Sequence, residues 1–386
     1  MRCEYMLRVA VLGANGFIGS RTVEMLHLGG LAEVRPVVRS VARLARLARF
    51  DLDCRIADGF DQTALSAAFR GCDVVVHAIA GDSRTIVGTL APAYRAAQEA
   101  GVQRFIYLST ASVHGQMPAP GTDERSLLHD RQPLPYSNAK VRAERTLHRL
   151  RCQGSVELVL LRPGIVFGPR SFWVTSFVEA LLSGQAYVVN DGRGICNSTY
   201  VDNLIHALYL AMKTPGIDRE AFLVGDKERV TWAEFYQPFA EAFGYDLSAL
   251  HSVPPYMLTW QDRLEAICTS HPVQTLLSLF PRKARRILWA ALMAGKDSPP
   301  VSSPWEVPEV PVPRATLEMS LLHQCGYKLP SDKAKKRLGY EPIVSFAEGC
   351  RRTIAWLAFV GYPVVRSSSG LNGRPFPTAV QETAHD

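Results

Sequence analysis

The stretch Gly13-Ala14-Asn15-Gly16-Phe17-Ile18-Gly19 decides the fold. The short apolar run Leu7–Leu12 precedes it, and a helix-like segment, Phe17–Leu28, follows. That order is strand, glycine turn, helix. Glycines here permit a tight turn and let backbone N–H groups approach a pyrophosphate at a helix N-terminus. A dinucleotide is therefore expected over Gly13, Asn15, Gly16, Phe17, Ile18 and Gly19.

Outward from the turn, short apolar segments alternate with helical ones. Strands are expected at Leu7–Leu12, Glu33–Val38, Asp53–Ala57, Asp73–Ala78, Arg104–Ser109 and Glu157–Leu161. Between them, helices are expected at Phe17–Leu28, Val41–Phe50, Gln62–Arg70, Thr85–Ala100 and Tyr136–Arg151. Buried strands joined by helices imply an α/β fold, a Rossmann-type doubly wound parallel sheet. The expected division is a dinucleotide-binding domain over 1–162, with later segments returning to it, and a smaller, mostly helical C-terminal substrate-binding part over 163–365. Residues 366–386 read as a flexible, polar tail.

The bulk composition sets outer limits. The chain has 386 residues, 47% of them hydrophobic, and a net charge of +7. A mild basic excess fits a solvated surface, and nucleic acid is not an expected partner. Eight cysteines are scattered without a Cys-x-x-Cys pair, which argues against a zinc site and a disulfide scaffold. No metal is expected. With no visible signal peptide and no apolar run of spanning length, the expected location is cytoplasmic.

Several residues fit the cofactor. Arg39, at the end of the second strand, suits a 2′-phosphate where an acid would suit free ribose hydroxyls, and Ser40 is a second donor. NADP(H) is thus favoured, with NAD(H) the alternative. Arg39 could instead be merely exposed. Asp58 could accept from the adenine amino group or serve as a turn residue. Ala78 and Ala80, in the small-residue end of the fourth strand, leave room for the cofactor; His77 beside them reads as a packed histidine.

The chemistry is carried by Tyr136-Ser137-Asn138-Ala139-Lys140. Reducing a carbonyl needs a proton as well as a hydride, and a tyrosine can donate it if its pKa, ordinarily about 10, is pulled down. Lys140, four residues on, shares a helix face with Tyr136, so its ammonium would favour the phenolate and can also hydrogen-bond the nicotinamide ribose; Tyr136 and Lys140 are therefore expected to bind the cofactor as well. A hydroxyl from Ser109-Thr110-Ala111-Ser112, at the fifth strand's end, should complete the site.

With these residues in place, the chain resembles the extended short-chain dehydrogenases/reductases, the NAD-dependent epimerase/dehydratase superfamily. The resemblance runs through residues 7–215 and returns at Leu338–Trp356, and it includes Leu161–Arg170 and Tyr200-Val201-Asp202-Asn203. It implies Thr110 as the catalytic hydroxyl with Tyr136 and Lys140, and Pro163 and Val166 in the loop passing the nicotinamide. It also implies homodimerisation through the fourth and fifth helices. The dehydratases' acidic pair is replaced by Ala111-Ser112. Thr85 sits where the family often has Asn, and Cys196 where nucleotide-sugar enzymes carry a diphosphate-binding Arg. Asp191–Ala207 and Leu338–Trp356 look most like the 3β-hydroxysteroid dehydrogenase branch, which implies a lipophilic substrate.

Residues 256–294 pair an apolar helical stripe with the basic run Arg282–Arg286. They read as a lid over the pocket, and could alternatively give peripheral membrane contact through 273–293. The proline-rich stretch 297–314 reads as an extended surface segment. The activity expected is NAD(P)-dependent interconversion of a ketone and a secondary alcohol on a sterol-, polyketide- or quinolone-like metabolite. Nucleotide-sugar epimerisation and a non-catalytic NADP-binding regulator are the alternatives.

Overall fold

The computed structural model describes residues 6–256 and 313–365. The expected lid, proline-rich segment and tail lie outside these residues, apart from Tyr256 and residues 313–314. The centre is a seven-stranded, all-parallel sheet. Its first six strands in chain order are β1 (Arg8–Leu12), β2 (Glu33–Val38), β3 (Arg55–Ile56), β4 (Val74–His77), β5 (Arg104–Leu108) and β6 (Glu157–Pro163). A later strand, β11 (Glu220–Val224), completes it, giving the spatial order β3-β2-β1-β4-β5-β6-β11.

Alternation along each strand feeds two apolar layers. Val9, Val11, Val74, Val76, Ile106 and Val159 face one layer with Val23 and Leu26 of α1 (Phe17–Leu28) and Leu204 and Leu208 of α7 (Val201–Lys213). Ala10, Leu12, Val75, Phe105, Tyr107 and Leu158 face the other. There they meet α2 (Gln62–Phe69), α4 (Leu90–Glu99) and α5 (Pro135–Gln153). Burial on both faces explains why these strands are nearly continuous apolar runs. Strand order reverses between β1 and β4. The crevice beyond their C-terminal ends is where open parallel sheets bind ligands.

Two expected helices differ in the structure. Thr85–Ala100 divides into α3 (Ser83–Gly88) and α4, which meet at Thr89. Pro92 has no N–H to bond the Gly88 carbonyl, which removes a bond of the helical ladder where the two segments meet. Val41–Phe50 is a single 3₁₀ turn, Val41–Leu44, followed by further turns. Bonds such as Leu47 N–H to Leu44 O at 2.7 Å keep it tight. Leu47 enters the core, while Arg46 reaches the Asn15 carbonyl (3.1 Å) and Arg49 the Glu24 carboxylate (2.5 Å). These tertiary contacts outweigh the local helix preference of a run rich in Ala, Leu and Arg.

After β6 the chain makes three small strand pairs as well as helices. β7 (Ile165–Phe167) pairs with β10 (Ser198–Tyr200), β8 (Tyr187–Val189) with β13 (His251–Val253), and β9 (Ile195–Cys196) with β12 (Val230–Thr231). The described helices here, besides α7, are α6 (Phe172–Leu182), α8 (Trp232–Ala242), α9 (Leu317–His323), α10 (Asp332–Leu338) and α11 (Phe346–Phe359). Arg21 of α1 forks onto Asp202 of α7 at 2.7 and 2.9 Å, tying this half to the glycine turn's helix.

Candidate active site

The glycine turn fits a dinucleotide. Gly13 has φ +86°, and a Cβ there would lie 2.9–3.0 Å from the Ala78 backbone. A Cβ on Gly19 would collide with the Gly13 carbonyl oxygen. These two glycines are needed by the fold itself. Gly16 differs: it is exposed, its φ of −67° suits any residue, and a Cβ would meet only Gly13 O at 3.4 Å. Packing alone does not require Gly16; as the N-cap of α1 it leaves room for a ligand to approach the helix N-terminus. α1 begins with no side-chain N-cap and no acidic residue in its first turn, so its leading N–H groups are available to an anion.

The other expected cofactor residues surround this turn along the sheet's C-terminal edge. Arg39, exposed, and Ser40 follow β2; Ala78 and Ala80 follow β4. Asp58 is exposed and its carboxylate accepts from Phe60 N–H at 3.0 Å, so it is a turn residue whatever else it does. Arg46 adjoins the turn through Asn15 and was not anticipated, because the segment carrying it looked helical.

A cavity of about 730 Å³ opens next to the turn. It brings together Phe17, Ile18, Thr110, Tyr136, Pro163 and Val166 from the expected set. Its far wall comes from α6, α8 and α9: Phe172, Trp173, Phe177, Tyr236 and Met319, with Ser176 and Glu318. None of these wall residues was singled out in the sequence, since they converge only through tertiary packing. Among the described residues, no lysine or arginine lines the cavity, and Glu318 is its one ionisable carboxylate.

Thr110 is held at the end of β5. Its Oγ1 accepts from Ser112 N–H and donates to Ser112 Oγ, both at 3.2 Å, which caps the 3₁₀ turn Ala111–His114. Tyr136 enters from the first turn of α5, where Pro135 sets the start. It keeps 40% of its surface open, towards the cavity. The packing around the phenol pushes its pKa up to about 12; the Glu318 charge adds to this, and the Thr110 hydroxyl acts the other way.

Lys140 does not take the expected position against the phenol oxygen. It is buried, donates to the Leu108 carbonyl at 2.7 Å, and lies 5.9 Å from the Tyr136 ring centre. Burial brings its pKa down to about 7, opposed by the Glu144 charge. The expected lowering of the tyrosine by the ammonium is therefore not seen in this arrangement. The reason is geometric, since the β5 carbonyl holds the ammonium away.

Beneath the triad is a buried ion pair that sequence reading missed. Arg162 forks onto Glu144 at 2.6 and 3.0 Å, and the Ser109 hydroxyl donates to the same carboxylate at 2.5 Å. Glu144 follows Lys140 by four residues, which was the available signal. His77 is fully buried, with its Nε2 3.2 Å from Thr89 Oγ1, and burial lowers its pKa to about 3. It is a packed, neutral histidine. Cys196 is also fully buried, so this departure from the nucleotide-sugar pattern points into the core. Among the described residues, no group of three or more side chains could hold a metal, and no helix is long and apolar enough to cross a membrane.

A doubly wound parallel sheet with a glycine turn at its reversal point, Thr110 at the end of β5, and Tyr136 and Lys140 on α5 defines an extended short-chain dehydrogenase/reductase. Residues 9–225 match the model of the NAD dependent epimerase/dehydratase family, and the chain belongs to that family. It is 26% identical to 3beta-hydroxysteroid-dehydrogenase/decarboxylase isoform 2 of Arabidopsis thaliana over 89% of its own length, spanning 61% of that relative. It is 30% identical to a 3 beta-hydroxysteroid dehydrogenase/Delta 5-->4-isomerase of Mycobacterium tuberculosis over 61% of its length and 70% of the relative's. Among solved structures, UDP-glucuronic acid 4-epimerase from Bacillus cereus, in complex with UDP-glucuronic acid and NAD, shares the fold. Its TM-score is 0.64 at 18% identity, covering 92% of this chain and all of that one.

Proposed function

We propose that this chain is an NADP(H)-preferring dehydrogenase/reductase interconverting a ketone and a secondary alcohol on a lipophilic metabolite. The observation carrying this reading is the lining of the cavity: aromatic and aliphatic side chains, several hydroxyls, Gln116, one carboxylate, and no basic side chain among the described residues. A nucleotide sugar brings two phosphates that need cations or clustered N–H groups. The relatives named as 3β-hydroxysteroid dehydrogenases favour the same substrate class.

Gly13–Gly19, Arg39, Ser40 and Arg46 would hold the dinucleotide, with Pro163 and Val166 beside its reactive ring. When bound, the nicotinamide supplies the hydride. Tyr136, protonated at neutral pH, gives its hydroxyl proton to the substrate oxygen, and Thr110 donates a hydrogen bond to the same oxygen. Lys140, bonded to the Leu108 carbonyl and 5.9 Å from the Tyr136 ring centre, acts on the remaining phenolate only through its charge at that distance. Exposed Arg39 and neighbouring Arg46 support the preference for a 2′-phosphate.

The test is turnover of a panel of lipophilic ketones and UDP- and dTDP-sugars, each with NADPH and NADH. Ketone reduction with NADPH is expected. Sugar-nucleotide turnover without ketone activity would overturn the substrate class, and a strong NADH preference would overturn the role of Arg39.

A further inference from the structure

Glu318 is an unusual component of an aromatic cavity. It is half-buried on α9, and burial raises its carboxyl pKa. Among the described residues it makes no hydrogen bond or ion pair. A carboxylate that has lost part of its water and gained no donor is costly, and a ligand filling the cavity would strip the water that remains.

The helix carrying it is firmly anchored. Thr316 Oγ1 accepts from Met319 N–H at 3.2 Å, and Thr316 N–H donates to the Tyr187 hydroxyl at 3.3 Å. Trp232 Nε1 donates to Leu322 O at 3.0 Å, and the His323 ring stacks on Trp232 at 4.6 Å and 11°. His323 Nδ1 in turn accepts from Val189 N–H at 3.2 Å. A Cβ on Gly194 would collide with the His323 carbonyl, so glycine is needed for this close approach. Swinging α9 outward to hydrate Glu318 would break these contacts.

Glu318 and Tyr136 line the same cavity, together with Thr110. The same cavity wall carries the stacked pair Phe177–Tyr236 (4.0 Å, 13°) and Trp173, none of which hydrogen-bonds Glu318. A ligand group meeting Glu318 must therefore bring its own donor.

We propose that Glu318 is a substrate-selecting residue, and that the preferred ketone carries a hydrogen-bond donor, a hydroxyl or a protonated amine, close to its carbonyl. This rests on the ketone reductase reading above and narrows its substrate class. The donor pairs with Glu318 while the carbonyl oxygen faces Tyr136 and Thr110. A ketone with a methyl group in the donor's place leaves the carboxylate buried and unpaired. Sites built around such a bond discriminate against analogues that lack it.

The experiment uses three ketones on one skeleton, bearing a hydroxyl, an aminomethyl or a methyl group near the carbonyl, reduced with NADPH by the full chain. The wild type should favour each donor-bearing ketone over the methyl one by about 10- to 100-fold in kcat/KM, mainly through KM. Glu318→Ala should collapse both ratios towards one. Glu318→Gln, which keeps an acceptor oxygen without the charge, should retain the hydroxyl preference and lose the amine preference. Because every outcome is a ratio within one protein, a loss of folded material does not imitate it. Equal turnover of the three ketones by the wild type, or a preference that survives in Glu318→Ala, would overturn this inference alone. No turnover of any of the three would overturn the ketone reductase reading together with it.

Discussion

The ion pair beneath the triad should behave as one unit when either half is removed. Arg162 and Glu144 side chains are 5% and 2% exposed and joined by two bonds of 2.6 and 3.0 Å. Arg162→Met leaves the carboxylate buried with only the Ser109 hydroxyl, and Glu144→Leu leaves a buried guanidinium. Removing one partner of such a pair costs roughly 3–5 kcal/mol, so independent effects would sum to roughly 6–10 kcal/mol. The double variant buries no charge at this position. Its remaining losses are the acceptor for Ser109 and the Arg162 contacts to the Glu124 carbonyl and His114 Nε2, about 1–3 kcal/mol for each group left unsatisfied. Denaturant unfolding at pH 7 of the wild type, the two single variants and the double variant measures the cycle. The double should be more stable than either single variant. A double that loses the sum of the singles, or singles that each lose under about 1 kcal/mol, would refute this account. The pair matters for the site because the Glu144 charge opposes the burial that lowers Lys140.

Two further outcomes separate fold from ligand and set the pH response. Gly19→Ala should destabilise the fold by ~1–3 kcal/mol through its collision with Gly13 O, whereas Gly16→Ala should keep stability within about 1 kcal/mol and weaken dinucleotide binding; thermal melts and cofactor titrations check both, and equal stabilities would remove the distinction. His77 titrates near 3 in the folded chain against an ordinary 6.5, so between these values the unfolded chain binds a proton that the folded chain does not. Stability should therefore fall as pH drops from 6.5 towards 3, with a shallower fall in His77→Gln; an unchanged acid slope would show that His77 is not responsible.

Much of this architecture could be read from the chain because its signals are local. The strand–glycine–helix order, the four-residue spacing of Tyr136 and Lys140, and the hydroxyl after β5 need no knowledge of distant contacts. Pro92 gave a local warning that Thr85–Ala100 would break. The turn around Arg46 and Arg49 was missed because Asn15 and Glu24, which hold it, are about 25–31 residues away. Glu318 reaches the cavity from a helix that follows Tyr136 by some 180 positions, and nothing in its neighbours marks it. Lys140 was placed in the right helix, but its bond to the Leu108 carbonyl depends on how α5 lies across β5, which spacing does not encode.

The central claim is that Tyr136 supplies the proton for reduction while the glycine turn carries most of the dinucleotide's binding. Its most direct test is kcat/KM of Tyr136→Phe for a lipophilic ketone, measured beside the Kd for NADPH. Loss of general acid catalysis should lower kcat/KM by about 10²–10⁴-fold with NADPH affinity unchanged. Turnover within a few fold of the wild type would contradict it.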